Sequence, residues 1–360
     1  MVEQMTISIP WDERDGFEPV PNPDMSRHKM VVKRIMASYH EAKRYQAGEP
    51  ETYQPSEMWI PFIKERQEYI DALNAKDEEA LGNLLANFFR NSGSNYVIKY
   101  GKWEGYESEE AETLKLRLMM GLALNFGAWK HFVANPDVKE LAIPPVGNPF
   151  GVYYDDVLIT SATFNNHYEA EKIHALVEDI DNPIVGELGA GIGILPYYLM
   201  KQIPNLKYID FDLPEILIIT QYFLMMSYPK KRFLLFGEKD FELTRRGIAN
   251  YDFILLPNFM LRKGDYHLCS VFVNFHSLSE MKYETIAEYM PHITRMTALY
   301  LYMENSTTDF VVLDDYHEIK VERFPIDPEK FTRIYKSHSI WNENVYREYL
   351  YKKINNARLR

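Results

Sequence analysis

Ile184-Val185-Gly186-Glu187-Leu188-Gly189-Ala190-Gly191-Ile192-Gly193 is followed at once by Ile194-Leu195-Pro196 and, further on, by Phe211-Asp212-Leu213-Pro214. An apolar run closes on an acidic residue, three glycines alternate, and a helical stretch over 194–202 takes over. Glycines suit a chain that turns tightly while its backbone closely approaches a ligand. Pro196 fits the first turn of that helix, where a missing N–H costs little. Outward from this unit, short apolar runs at 184–188, 208–212, 233–236, 252–256, 270–275 and 299–304 alternate with helical stretches. That alternation predicts an α/β fold with a parallel sheet.

The spacing of the glycines separates two ligands. The dinucleotide fingerprint requires a third glycine three positions after the second, where this chain has Ile194, which disfavours a nicotinamide dehydrogenase. Glycines at 189, 191 and 193 behind an acidic residue have the form used for S-adenosylmethionine. Glu187 is then placed to receive the methionine ammonium, while Gly189, Ala190, Gly191 and Gly193 form the turn. Asp212, followed by Leu213, ends the next strand about 20 residues on, where an acidic side chain can accept both ribose hydroxyls. Asp210 shares its strand face, and either aspartate could instead cap the helix near Pro214. Asn258 and Asn274 end predicted strands on the same sheet edge and are weaker candidates for cofactor binding, since a turn role competes. The expected class is a Rossmann-like class I methyltransferase sheet joined to a mainly helical N-terminal region.

Before the sheet, helical periodicity appears over 25–45, 56–73, 77–91 and 109–133, so residues 1–135 read as a helical region. Its expected role is to form a lid, shape an acceptor pocket or make a homodimer contact. Residues 136–360 read as the cofactor-binding domain. A helix is expected over 167–180 with Asn166 as its cap, so His167 and Tyr168 would open it and close over cofactor or acceptor, unless they are structural. The stretch after Phe310 yields no topology.

The formal net charge of −12 argues against a nucleic-acid partner, which would call for a basic face. One cysteine, Cys269, cannot form an internal disulfide and sits in an apolar run as a core residue. The apolar stretches 116–129 and 216–226 fall short of a membrane span, and residues 1–15 show no apolar leader, so a cytoplasmic protein is expected. Asp314, Asp315, His317 and Glu318 could bind a divalent cation, but a solvated turn is the more ordinary reading and no metal is assigned.

Phe211-Asp212-Leu213-Pro214-Glu215 with Gln221-Tyr222-Phe223-Leu224 resembles bacterial sugar O-methyltransferases. So do Asn274-Phe275-His276-Ser277-Leu278-Ser279-Glu280-Met281, which in that family marks a strand end and the opening of the next helix, and Tyr300-Leu301-Tyr302-Met303-Glu304-Asn305. The likeness covers roughly residues 140–306 and implies transfer of a methyl group to a small acceptor, a sugar or glycoside. A non-sugar natural-product intermediate methylated on O or N, or a non-catalytic cofactor-binding partner protein, remains the alternative.

A sugar hydroxyl is a poor nucleophile, so a base must take its proton. His276, just past a predicted strand, is the first choice, with Glu280 one turn on to orient it or bind the sugar. Ser277 and Glu280 could equally form a capping box. Ser277 and Asn305, with His167 and Tyr168, complete the candidates for acceptor binding.

Overall fold

In the computed structural model the described residues are 10–22, 24–95, 101–308, 311–313, 316–341 and 345–354, with side chains undescribed over 311–317. Strand β3 (Ile184–Leu188) is buried along its whole length, as expected of a central strand covered on both faces. It pairs in parallel with β4 (Lys207–Asp212) on one side and β7 (Cys269–Phe275) on the other. Beyond β4 lie β6 (Phe253–Pro257) and the edge strand β5 (Phe233–Leu235), both parallel. Beyond β7 lies β8 (Thr297–Ser306), then the antiparallel β12 (Tyr346–Lys353) and β11 (Phe331–His338). Among the described residues the order of this sheet is β11-β12-β8-β7-β3-β4-β6-β5. A mostly parallel sheet with helices on both faces and a reversed penultimate strand is a Rossmann-like α/β fold. The chain leaves β3 toward β4 and later returns to β7 on its other side, so the strand order switches at β3, where open α/β sheets bind their ligands.

Each of the six strands expected between 184 and 304 is present, with ends moved by at most two residues. Helices α1 (Met25–Gln46) and α5 (Ala111–Phe132) also form where the periodicity puts them, while α4 (Glu78–Ala86) stops five residues short of the expected end and gives way to a 3-10 turn over Phe88–Arg90. Asp24 caps α1 by accepting from the backbone N–H groups of Ser26 and Arg27. The stretch 56–73 is not one helix: it breaks at Arg66 into α2 (Trp59–Glu65) and α3 (Gln67–Ala75). At the break the Arg66 guanidinium is drawn inward and donates to the carbonyls of Ser92 and Asn95, at 3.2 and 2.7 Å.

Helix α6 (Thr163–Val177) starts four residues ahead of the expected His167. The Thr160 N–H donates to Thr163 Oγ1 at 3.0 Å and sets the turn early, so Asn166 lies inside the helix rather than at its cap. Helix α7 (Ile194–Gln202) follows the glycine turn and α8 (Pro214–Ser227) follows β4 with Pro214 at its first turn. Helix α9 (Tyr283–Met296) opens later than the resemblance implies. Side-chain bonds around Asn274 and Asn305 hold 276–281 as turns instead.

The remaining strands are short pairs: β1 (Val152–Tyr154) with β2 (Val157–Ile159), and β9 (Val311–Leu313) with β10 (Tyr316–His317). One apolar cluster joins α1, α4 and α5 to α6, α7 and α8 across one face of the sheet, so the N-terminal helices share the core that supports β3. A second cluster, with α9, covers the opposite face. Cys269 is buried there. Among the described residues no helix is long and apolar enough to cross a membrane.

Candidate active site

A cavity of about 920 Å³ lies at the carboxyl ends of β3, β4 and β7. Its floor is the glycine turn. Gly189, Gly191 and Gly193 have φ of 83°, 60° and 93°, the left-handed region that suits glycine. A Cβ on Gly189 would stand 2.6 Å from Ser277 Oγ, so position 189 is closed to any side chain. The acidic ends of β4 fasten this turn. Asp210 accepts from the Ala190 N–H at 3.2 Å, while Asp212 accepts from the N–H groups of Leu213 at 2.7 Å and Gly191 at 3.4 Å. Asp212 and Leu213 line the cavity, as do Gly189, Ala190 and Gly191. Asp210 is fully buried behind the turn.

Glu187 faces the same space from β3, 2% exposed, and accepts a short hydrogen bond from the Tyr208 hydroxyl. Burial pushes its carboxyl up to about 8, against the opposing effect of that bond. Burial likewise pushes Asp212 up to about 7. A buried carboxyl and a half-buried one therefore stand on either side of a backbone turn. A ligand cation or hydroxyl donors at these positions would restore the interactions that water has lost.

The other end of the cavity is built around His276. Its φ of 70° is unusual for a residue with a side chain. Glu304 holds it there, because the Glu304 carbonyl accepts from the His276 backbone N–H at 2.8 Å and Oε1 lies 3.0 Å from the ring Nε2. Burial disfavours the charged ring, but the hydrogen bond and charge of Glu304, with Glu280 and Glu318, outweigh it and raise the imidazole above its ordinary range. The Ser339 hydroxyl also donates to Glu304 Oε1 at 3.0 Å, and the Tyr346 ring lies 4.4 Å from the imidazole. Glu280 accepts from Trp59 Nε1–H at 3.2 Å, and burial pushes it up to about 7. Ser277 makes no capping box with Glu280. Its hydroxyl donates to the Leu188 carbonyl at 2.8 Å.

Five of the expected residues fall outside the cavity wall, the first being Gly193, which packs toward Thr220 and Leu224 of α8. Asn274 is fully buried: its amide donates to the Leu188 carbonyl and Ser277 Oγ, and its oxygen accepts from Leu278 N–H and Asn305 Nδ2. Asn305 is equally spent, between Asn274 and the Ser279 N–H. This pair braces the glycine turn from behind. His167 is turned into the core by the early start of α6 and accepts from Trp129 Nε1–H at 3.2 Å. Burial pushes its ring down to about 4, which keeps it neutral. Tyr168 packs against Trp341 instead of the cavity. Asn258 does line the cavity, with its amide bound to the Tyr53 carbonyl and the Tyr289 hydroxyl. Asp314, Asp315 and the His317 side chain lie outside the described residues, and Glu318 is buried beside Tyr346.

In place of His167 and Tyr168, α6 presents Asn165, Asn166 and Glu169. With the helix begun at Thr163, the positions 162, 165, 166 and 169 share one face at helical spacing, a pattern hidden by a start at 167. Trp59, Lys102 and Tyr106 line the cavity from the helical region, Trp341 from the segment between β11 and β12, and Tyr346 from β12. Nothing in local spacing links those segments to the sheet.

No protein-family model matches the chain, and no curated protein matches it. Solved structures do. The magnesium protoporphyrin IX methyltransferase from Synechocystis PCC 6803 with bound SAH is 11% identical, with a TM-score of 0.36 over 64% of this chain and 94% of that one. A SAM dependent methyltransferase from Aquifex aeolicus is 11% identical, with a TM-score of 0.33 over 52% and 90%. The PH0226 protein from Pyrococcus horikoshii OT3 is 11% identical, with a TM-score of 0.38 over 54% and 92%. The fold assignment rests on the order and direction of the strands.

Proposed function

We propose that this chain is an S-adenosylmethionine-dependent O-methyltransferase whose acceptor is a sugar or glycoside hydroxyl. One observation carries the reading: Glu187, buried, and Asp212, half-buried, flank a left-handed glycine turn inside one cavity at the switch point of the sheet. Glu187 would receive the ammonium of the cofactor's methionine part, Asp212 the ribose hydroxyls, and the turn would let the backbone lie close to the ligand. Bound there, S-adenosylmethionine supplies a methyl group on a positively charged sulfur.

The residues at the far end do the rest. Glu304 accepts from His276 Nε2–H, which fixes the neutral tautomer and leaves Nδ1 as the basic nitrogen. His276 Nδ1 would take the proton of an acceptor hydroxyl held against it, and the cavity walls would hold that hydroxyl facing the methyl donor. Trp59, Trp341 and Tyr346 offer flat apolar faces of the kind that stack on sugar rings, and Ser277 and Glu280 offer hydrogen-bonding groups. The helical region 1–135 would serve as roof and acceptor wall.

The test is methyl transfer from radiolabelled S-adenosylmethionine to a panel of free sugars, nucleotide sugars and glycosides, with the methylated atom located by NMR. A product methylated on a ring hydroxyl, lost in His276→Asn, supports the reading. Methylation only of non-sugar acceptors overturns the substrate class. Binding of the cofactor without transfer to anything in the panel or in a small-metabolite extract overturns the activity.

A further inference from the structure

We infer that the acceptor carries an ammonium group, as in an amino sugar, and that Glu169 receives it. The inference rests on the methyltransferase reading and names its substrate class more narrowly. Glu169 stands in the second turn of α6, is 5% exposed and lines the cavity. No hydrogen bond or ion pair engages its carboxylate among the described residues. Apart from Glu104, which is exposed to solvent, every other acid in this wall has an assigned role or a partner: Glu187 holds Tyr208, Asp212 the glycine turn, Glu304 His276 and Ser339, and Glu280 Trp59.

The charges around Glu169 make its position costly. Burial, then Glu304, Glu187 and Glu348, all oppose its ionised form. Lys172, one turn along the same helix, points away to Glu348 at 3.6 Å. Lys102, on the opposite wall, lies 3.5 Å from Glu65. A buried carboxyl without a partner is retained at such a site when a ligand completes it. Glu304, the partner of His276, and Glu187 both bear on Glu169, which shares one cavity with His276. A cation seated there would relieve the repulsion from Glu304, Glu187 and Glu348 at once. A neutral hydroxyl would satisfy one lone pair without supplying the positive charge that the ionised carboxylate lacks in these surroundings. The ammonium would anchor the acceptor on α6 while a neighbouring hydroxyl faces His276.

The experiment uses the full chain saturated with S-adenosylhomocysteine and measures binding of glucosamine, N-acetylglucosamine and glucose by saturation-transfer NMR. The expected result is binding of glucosamine at least tenfold tighter than either neutral sugar. In Glu169→Gln that preference should vanish, while affinity for S-adenosylhomocysteine stays within twofold of wild type. Unchanged cofactor affinity also certifies that the variant folds, and Glu169→Asp should retain part of the preference. Equal binding of the three sugars, a preference that survives Glu169→Gln, or no binding of any amine at millimolar concentration overturns the inference. Loss of cofactor affinity in Glu169→Gln with its melting temperature intact also overturns it, because the carboxylate would then read the cofactor. Failure of wild type to bind S-adenosylhomocysteine at all is a different result, which removes the methyltransferase reading itself.

Discussion

The two ends of the cavity are made in different ways. The cofactor end comes from one continuous stretch, in which β3, the glycine turn and the tip of β4 lie next to each other in sequence and in space. The acceptor end is gathered from five distant places: Trp59, Lys102, Glu169, His276 and Tyr346 belong to separate elements. Local backbone geometry dictates the first, since a left-handed turn needs glycine and a strand end needs an acid to hold it. The second depends on how segments of the N-terminal helices and of the C-terminal strands come together over the sheet edge. Binding of the cofactor and choice of acceptor are therefore separable by mutation.

The largest expected effect lies at the cofactor end. Glu187→Gln and Asp212→Asn should each weaken S-adenosylhomocysteine binding about 100-fold, the scale of about 3 kcal/mol for removing a charged buried hydrogen-bond partner, as read by calorimetry. Wild-type affinity in either variant would break the comparison at its stronger side. Next, His276→Asn keeps a residue that tolerates the left-handed backbone. It should lower kcat by about 10²- to 10³-fold, the contribution of a positioned base, and leave cofactor affinity unchanged. A parallel loss of affinity would show that the two ends are not separable.

A smaller effect tests the pH dependence of that base. Glu304 raises the imidazole of His276, and the ring accepts a proton only when neutral, so the wild-type rate should climb with pH through a value above the ordinary imidazole range. Removing the carboxylate in Glu304→Gln stabilises the neutral ring at lower pH. The acidic limb of kcat should then move down in pH, with a drop of about tenfold at the plateau from lost orientation. An unmoved limb would exclude His276 as the titrating group.

The smallest effect concerns stability. A carboxyl whose folded value lies above its unfolded one binds more protons when folded, so stability falls as pH rises between the two. Glu187, pushed up to about 8, should destabilise the unliganded protein progressively from about pH 4.5 to 8. Glu187→Gln should melt a few degrees higher than wild type at pH 8.5 and show little advantage at pH 5. Equal melting temperatures at both values would mean that the buried acid is not under strain.

Legibility in the sequence followed the same division. The strand ends and the placement of Glu187, Asp212, Gly189 and Gly191 on one cavity can be read because a buried parallel strand and a left-handed turn each leave a local signature. Where nonlocal bonds compete with local pattern, the reading fails. Asn274 and Asn305 sit at strand ends, as expected, but bond to each other and to Leu188. His167 and Tyr168 turn inward because Thr163 starts the helix early, and that shift hid Glu169. Strands β11 and β12 escaped because β11 is a largely exposed edge strand studded with charged and aromatic residues, without a clean alternation of apolar side chains.

The most direct test of the central claim is a calorimetric titration of the wild-type chain with S-adenosylmethionine, S-adenosylhomocysteine and NAD at pH 7.5, repeated with Asp212→Asn. The account predicts saturable one-to-one binding of both sulfur ligands, no binding of NAD, and loss of most affinity in the variant. Binding of NAD instead, or sulfur-ligand affinity that is the same with and without the Asp212 carboxylate, would contradict it.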